Sequence, residues 1–168
     1  KGDSLANITR ALDLNCDGII VNLPSNDVYN RYSTKEQLDN FRTVARVARQ
    51  ANIPIWICTV QPRNFNRHDQ RRQQAALNDS IRAIFANNHI DFWTSFATES
   101  HGVIKLYDTG DGCHLNDGGH ALLANRVIES GAFNPFLVTS GVKVWVEKEI
   151  PRKPHTASFE FAGRVKTA

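Results

Sequence analysis

The chain alternates between short apolar runs and longer segments in which apolar residues recur every three or four positions. The apolar runs lie at about residues 18–23, 53–60 and 90–93, and they are rich in β-branched and aromatic side chains. Each run is too apolar to face water, so we predict three strands buried on both faces of a sheet.

The intervening segments predict amphipathic helices, because their apolar positions fall on one helical face. Ser33-Thr-Lys-Glu36 matches a capping box and marks the start of one helix, which Asn52 ends. The predicted helices cover about residues 3–14, 33–52, 68–86 and 121–128. Residues predicted to be buried are Leu38, Phe41, Ala45 and Ala48 in the second helix and Ala75, Leu77, Ile81, Ile84 and Phe85 in the third.

Strands that alternate with helices predict an α/β fold, in which a parallel sheet carries helices on both faces and right-handed crossovers join the strands. Sites in such sheets form at the carboxyl ends of the strands. Asn26, Gln61 and Arg63 each follow a predicted strand, and the turn at residues 111–114 is expected to open the last helix. The candidate polar groups are therefore predicted to share one rim of the sheet.

The pattern changes after Gly131, where apolar and polar residues alternate singly. This alternation predicts two antiparallel strands on either side of a connection that contains Pro151 and Pro154. We therefore divide the chain into an α/β domain, residues 1–131, and a β-rich tail, residues 132–168. A segment of fewer than about 40 residues is a marginal domain. The tail is interpreted either as the start of a second β module or as a ribbon packed on the first domain.

Composition supports a folded domain and excludes several classes of protein. The chain has 168 residues, of which 41% are apolar and 22% charged, and this argues against disorder. No apolar run approaches the roughly 20 residues that a membrane span requires. The net charge is only +3, with a basic excess at residues 63–72. That stretch lacks interleaved aromatic residues and a binding motif, so we predict a solvated surface and no nucleic-acid partner.

The cysteine and histidine content gives no sign of a metal site. Cys16, Cys58 and Cys113 include no C-x-x-C pair and are too widely spaced for a zinc site or a disulfide framework. Cys58 lies in an apolar run and is predicted to be buried. No cluster of His, Cys and carboxylate has ligand spacing, so no metal or organic cofactor is expected.

The sequence Asp111-Gly-Cys-His114 carries the clearest candidate chemistry. If this turn is locally helical, residues three apart approach to about 5–6 Å at Cβ. Asp111 can then accept the Nδ1 proton of His114, fix its tautomer and leave Nε2 free as a general base. Asn26 places a side-chain amide on the same predicted rim. The structural alternatives are a cap or loop role for Asp111, a first-turn helix position for His114 and a turn bonded to its own backbone for Asn26.

Over about residues 3–130 the chain resembles the SGNH hydrolases, also called the GDSL esterase/lipase family. Asp111-Gly-Cys-His114 resembles the D-x-x-H block of that family, and residues 23–27, Leu-Pro-Ser-Asn-Asp, resemble its G-x-N-D block with Pro24 in place of glycine. The resemblance implies a flavodoxin-like parallel sheet and hydrolysis of small-molecule or carbohydrate esters, often acetyl esters. It also implies a secreted or periplasmic bacterial protein.

The resemblance assigns roles to the candidate residues. His114 would be the general base toward a serine, Asp111 its orienting carboxylate and Asn26 the donor to the oxyanion. Gln61 and Arg63 are weaker candidates for substrate contact, because they follow the carboxyl end of a strand. The resemblance implies no metal and no cofactor.

The nucleophilic serine of the family lies in a G-D-S block directly after the first strand, and Ser4 follows Gly2 and Asp3 here. Only Lys1 precedes these residues, where the block requires a buried strand. Asn26 lies only 22 positions after Ser4, which leaves room for one helix and one strand but not for the further strand and glycine-bearing oxyanion loop of the family. We therefore expect the first strands and the serine to lie upstream of this chain.

Three interpretations of function remain open. The first is a serine esterase of which this chain is the carboxyl-terminal part. The second is a non-catalytic SGNH-like module that binds glycans or a protein partner. The third is a cysteine-dependent enzyme that uses Cys113, although a cysteine directly before its histidine points to the other side of the chain unless the turn is unusual.

Overall fold

A computed structural model describes residues 8–23 and 25–134 of the chain. All but two of these residues belong to one compact unit, which ends at Ala132. Ser4, Pro24 and nearly all of the predicted β-rich tail at 132–168 lie outside the described residues. The division of the chain into two domains stays a prediction.

Helices and strands alternate along the described part of the chain. In chain order they are α1 (Ile8–Leu12), β1 (Ile19–Val21), α2 (Asn26–Tyr29), α3 (Thr34–Gln50), β2 (Ile55–Cys58), α4 (His68–Ile84), β3 (His89–Ile90), a 3₁₀ helix (Lys105–Tyr107) and α5 (Asp117–Glu129). No helix in this part of the chain is both long and apolar enough to cross a membrane.

The three strands form a parallel sheet in the order β1-β2-β3. Ile20 is paired with Trp56 across the first ladder, and Cys58 with Ile90 across the second. Neighbouring parallel strands must be joined by a crossover connection. α3 lies in the crossover from β1 to β2, and α4 lies in the crossover from β2 to β3. The predicted α/β fold with a parallel sheet is confirmed.

The capping box predicted for α3 marks its first turn. The Ser33 hydroxyl accepts a hydrogen bond from the Glu36 backbone N–H at 3.2 Å, which satisfies one of the free donors at the helix start. All four α3 residues predicted to be buried are buried, and they face the sheet as one stripe. Asn52, at φ +57°, follows the end of the helix as predicted.

The main hydrophobic core joins α3, β2 and α4. Ile55 and Ile57 of β2 pack in it against Leu77 and Ile81 of α4, which are fully buried. Trp56 is 8% exposed although its side chain points to the opposite face of β2. Both faces of β2 are therefore buried, as its apolar sequence predicts. The cluster also contains Leu38, Phe41, Ala45, Ala48, Val60 and Phe85.

The prediction that β1 is buried on both faces is wrong for the described part of the chain. Ile20 is 37% exposed, and its two neighbours in the strand are only partly buried. The reason is position in the sheet, because β1 is the edge strand and pairs with β2 alone among the described strands. A groove of about 800 Å³ runs beside β1 and is lined by residues of α1, β1 and α3.

Two polar residues of α4 are buried in the core, whereas one apolar residue that was predicted to be buried is exposed. Ile84 was predicted to be buried but is 38% exposed, whereas Gln74 and Asn78 are fully buried. The Asn78 side chain accepts from the Val60 N–H at 2.7 Å and donates to the Val60 carbonyl at 2.9 Å. Gln74 donates to the Gln61 carbonyl at 2.7 Å. Both amides therefore fix the chain where it leaves β2.

We predict that Asn78→Ala lowers the free energy of unfolding by about 2–4 kcal/mol, because it leaves the buried N–H and carbonyl of Val60 without partners. The matched control is Gln73→Ala on the same helix, whose side chain donates to the Tyr32 carbonyl at an exposed position. It should cost less than about 1 kcal/mol. Urea denaturation measures both values, and equal losses would contradict the role assigned to Asn78.

Candidate active site

The turn at residues 111–114 lies between the 3₁₀ helix and α5 and is built by two glycines. Gly110 and Gly112 have φ values of +109° and +72°, in the region that favours glycine. The turn is not helical, so the expectation of a locally helical turn that opens the last helix is wrong. α5 begins only at Asp117, after Asn116, whose side chain accepts from the Gly119 N–H at 3.0 Å. α5 therefore starts four residues earlier than the helix predicted at 121–128.

Asp111 and His114 are in direct contact. Asp111 Oδ2 lies 2.5 Å from His114 Nδ1, while Oδ1 accepts from the backbone N–H groups of Cys113 and His114, both at 2.8 Å. One carboxylate oxygen therefore holds the turn and the other holds the ring. A hydrogen bond at Nδ1 leaves Nε2 as the free ring nitrogen. The Asp111 and His114 side chains are 50% and 75% exposed.

These contacts hold the pKa of Asp111 well below its usual range. The largest cause is the hydrogen bond from the His114 backbone N–H, followed by that from the His114 ring and that from the Cys113 N–H. Asp111 is therefore a carboxylate at neutral pH. An anionic acceptor at this position favours the tautomer of His114 that carries its proton on Nδ1.

A second aspartate, which our sequence analysis missed, supports the same turn. Asp108 accepts hydrogen bonds from the N–H groups of Gly110 and Gly112, both at 2.9 Å. The Thr109 N–H donates to the His114 carbonyl at 3.0 Å. The spacing of one aspartate before two glycines is a turn signal that could have indicated this role.

The loop at residues 61–65 follows β2 and is hydrogen-bonded to the 111–114 turn. The Asn64 N–H donates to the Gly112 carbonyl at 2.7 Å, and Gln61 Nε2 donates to the Cys113 carbonyl at 3.3 Å. The Asn64 side chain accepts from the Val103 N–H at 2.9 Å. The side chain of Gln61 therefore supports the turn by a hydrogen bond to the backbone of Cys113. A substrate contact of Gln61 stays a prediction.

The same loop reaches Asn26 on α2. Arg63 Nη1 donates to Asn26 Oδ1 at 3.4 Å. The guanidinium carbon lies 4.6 Å from the ring centroid of Tyr29 and 5.2 Å from that of Phe65. The structure therefore brings Arg63 together with Asn26, and it brings Asp111 together with His114. The 61–65 loop supplies Arg63 to the first pair and is hydrogen-bonded to the backbone of Gly112 and Cys113, in the turn that carries the second. No described hydrogen bond joins Asn26 to His114 directly.

The remaining candidates are separate from these two pairs. Asp27 lines the groove beside β1, and its pKa is raised by burial and then by the nearby charge of Glu36. No described hydrogen bond joins the Cys113 thiol to the His114 ring. Burial raises the pKa of the Cys58 thiol to about 12. Among the described residues, no group of three His, Cys, Asp or Glu side chains could hold a metal ion.

A histidine held by a carboxylate, beside the carboxyl end of a parallel sheet, is the kind of site that hydrolases use for general base catalysis. The model of the GDSL-like lipase/acylhydrolase family matches residues 2–122. The chain belongs to this family of hydrolases.

Two solved structures from Bacteroides share the fold. A candidate acylhydrolase from Bacteroides fragilis has a TM-score of 0.67 and 20% identity, and the match covers 77% of this chain and 69% of that one. A GDSL-like lipase from Bacteroides thetaiotaomicron has a TM-score of 0.66 and 19% identity, covering 76% of this chain and 69% of that one. A search among curated proteins found no match.

We predict that Gly112→Ala destabilises the protein more than Gly110→Ala. Both changes put a side chain at positive φ, at a cost of about 1 kcal/mol or more. A Cβ at residue 112 would also lie 2.8 Å from the Asn64 Cβ, whereas nothing lies within 4 Å of one at residue 110. The expected losses in free energy of unfolding are about 1 kcal/mol for Gly110→Ala and about 2–3 kcal/mol for Gly112→Ala. Similar losses in urea denaturation would contradict the packing of the loop against the turn.

Proposed function

We propose that the chain is part of a serine esterase of this family, in which His114 is the general base, Asp111 orients it and Asn26 donates to the oxyanion. The observation that carries the proposal is the 2.5 Å contact between Asp111 Oδ2 and His114 Nδ1. Acyl esters, such as acetyl esters of carbohydrates, are the proposed substrates. The relay of these side chains uses no metal or organic cofactor.

The proposed reaction begins when His114 Nε2 removes the hydroxyl proton of the serine. The serine oxygen then bonds to the ester carbonyl carbon, whose π electrons move to the oxygen, and Asn26 Nδ2 donates to that oxyanion. The intermediate collapses, the alcohol leaves, and His114 returns the proton to it. His114 then removes a proton from water, whose oxygen bonds to the acyl carbon. The bond from that carbon to the serine oxygen breaks, His114 returns the proton to the serine, and the acid leaves.

The charge of Asp111 supports this assignment. Removal of a proton from serine makes His114 a cation, and the carboxylate at Nδ1 stabilises that cation as it forms. The lowered pKa of Asp111 keeps the carboxylate available across the pH range in which a histidine base operates. An amide donor such as Asn26 is typically worth about 10²–10³ in kcat, because it is aimed at charge that develops in the transition state.

The proposed serine lies outside residues 1–168. The sequence supports this, because the 22 positions from Ser4 to Asn26 are too few for the further strand and the glycine-bearing oxyanion loop that the family has there. The unpaired edge of β1 and the groove beside it give room for further strands at the position where the sheet ends in the described part of the chain.

We predict that His114→Ala lowers kcat of the full-length protein on p-nitrophenyl acetate by about 10²–10⁴, because the general base is lost. The matched control is His120→Ala, which changes an exposed histidine on α5, six residues further along. That variant should keep wild-type kcat and KM. Equal activity of wild type and His114→Ala, or no hydrolysis by wild type of any ester in an acyl series, would instead favour a non-catalytic module that binds glycans or a protein.

We predict that a fluorophosphonate probe labels one serine that lies outside residues 1–168, because only an activated serine reacts with it. Ser4→Ala should leave both labelling and kcat unchanged, and peptide mass spectrometry identifies the labelled residue. Label on Ser4 would overturn the assignment of the nucleophile. Inactivation by iodoacetamide without labelling by the fluorophosphonate would favour the cysteine-dependent enzyme that uses Cys113.

A further inference from the structure

We propose that Arg63 is a positioning residue that sets the direction of the Asn26 side-chain amide. This inference rests on the proposed function of Asn26 as the donor to the oxyanion. It is an alternative to the prediction that Arg63 contacts the substrate, which the experiment below distinguishes from it. The juxtaposition that carries it is the guanidinium of Arg63 against Asn26 Oδ1, with the Tyr29 and Phe65 rings beside it.

An asparagine amide has two orientations of nearly the same shape, and only one of them directs the N–H₂ group at the oxyanion. A guanidinium has only donors, so its partner on Asn26 is the carbonyl oxygen. The contact from Arg63 Nη1 to Oδ1 is 3.4 Å. Because Oδ1 is held by Arg63, Nδ2 is directed to the other side of the amide, where it is free to donate.

Arg63 is itself held in place. Its guanidinium contacts the rings of two aromatic residues, Tyr29 on the same helix as Asn26 and Phe65 in its own loop. Phe65 is 4% exposed, and its carbonyl accepts from Arg71 Nε at 2.6 Å. Pro62 is fully buried. A planar guanidinium can stack on aromatic faces, and this stacking restricts its orientation. The ammonium group of a lysine cannot stack in this way.

The position of Arg63 also distinguishes it from the other basic residues of the 63–72 stretch. Arg67 forms an exposed ion pair with Asp69 at 2.6 Å, and Arg71 donates to the backbone of the 61–65 loop. Arg63 is half-buried and connects the chain segment after β2 with the helix after β1. Its effect on catalysis is therefore expected to act through Asn26.

A double-mutant cycle in the full-length esterase tests the proposal with an acetyl ester as substrate. We expect Arg63→Met to lower kcat by about 10–50-fold with KM changed by less than about 3-fold, and Asn26→Ala to lower kcat by about 10²–10³. In the Asn26→Ala background, Arg63→Met should lower kcat by less than about a further 3-fold, because the group it positions is absent. Arg63→Lys should restore only part of kcat.

The control variant is Arg72→Met, an exposed arginine in the same stretch, which should keep both kinetic constants. Thermal unfolding of each variant separates loss of catalysis from loss of folded protein. A rise in KM with unchanged kcat in Arg63→Met would overturn the proposal and assign Arg63 to substrate binding. The proposal also fails if the loss of kcat in the double variant equals the product of the losses in Arg63→Met and Asn26→Ala.

A readout without substrate separates this inference from the proposed function. The ¹⁵N–¹H₂ signals of the Asn26 side chain, assigned by their absence in Asn26→Asp, should move in Arg63→Met toward those of a free exposed asparagine. They should stay in place in Arg72→Met. If the protein hydrolyses no ester, the proposed function fails while these signals still decide the positioning. Unchanged Asn26 signals in Arg63→Met would overturn it.

Discussion

An amide side chain takes the place of a neighbouring strand where β2 ends. Asn78 makes both a donor and an acceptor contact with Val60, the same pair of bonds that a strand would make. Because the site is built from the residues that directly follow, this buried contact determines where the 61–65 loop begins. The loop then bonds to the 111–114 turn through Asn64 and Gln61 and to α2 through Arg63. Two segments distant in sequence, α2 and the 111–114 turn, are thereby held by one short loop.

The site combines a rigid backbone with exposed side chains. Asp108 and Asp111 together accept hydrogen bonds from the backbone N–H groups of Gly110, Gly112, Cys113 and His114, so two aspartate side chains fix the turn. The His114 side chain is nonetheless 75% exposed. A hydrogen-bonded pair this exposed to water contributes little to stability. The contact of Asp111 with His114 is therefore better explained by the orientation of the ring than by stabilisation of the fold.

The sequence predicted what depends on local periodicity and failed where tertiary contacts decide. The stripe of α3 and the buried strand β2 follow from apolar spacing, and Asp111 and His114 were identified from a four-residue pattern. The exposure of Ile20 was not predictable, because apolar composition does not reveal which strand lies at the edge of the sheet.

The largest omission from the sequence-based prediction is the set of polar residues that position the site. The predicted core did not include Gln74 and Asn78, and no role was predicted for Asn64 and Asp108. Their partners are backbone groups. The Gly112 N–H lies four residues from Asp108 in sequence, whereas the Val103 N–H lies 39 residues from Asn64. The contacts of Asp108 are local, and its spacing before two glycines is a turn signal. A backbone group has the same chemistry at every position, so no residue pattern identifies a partner as distant as Val103.

The short helix α2 separates two environments. Asn26, at its start, faces Arg63 and the site, while the next residue, Asp27, lines the groove beside β1 near Glu36. The raised pKa of Asp27 shows that partial burial already disfavours its charge. Any segment that covers β1 would remove more water from Asp27 and raise its pKa further. Because Asn26 and Asp27 share one helical turn, this turn contacts both Arg63, on the side of the site, and the groove at the edge of the sheet.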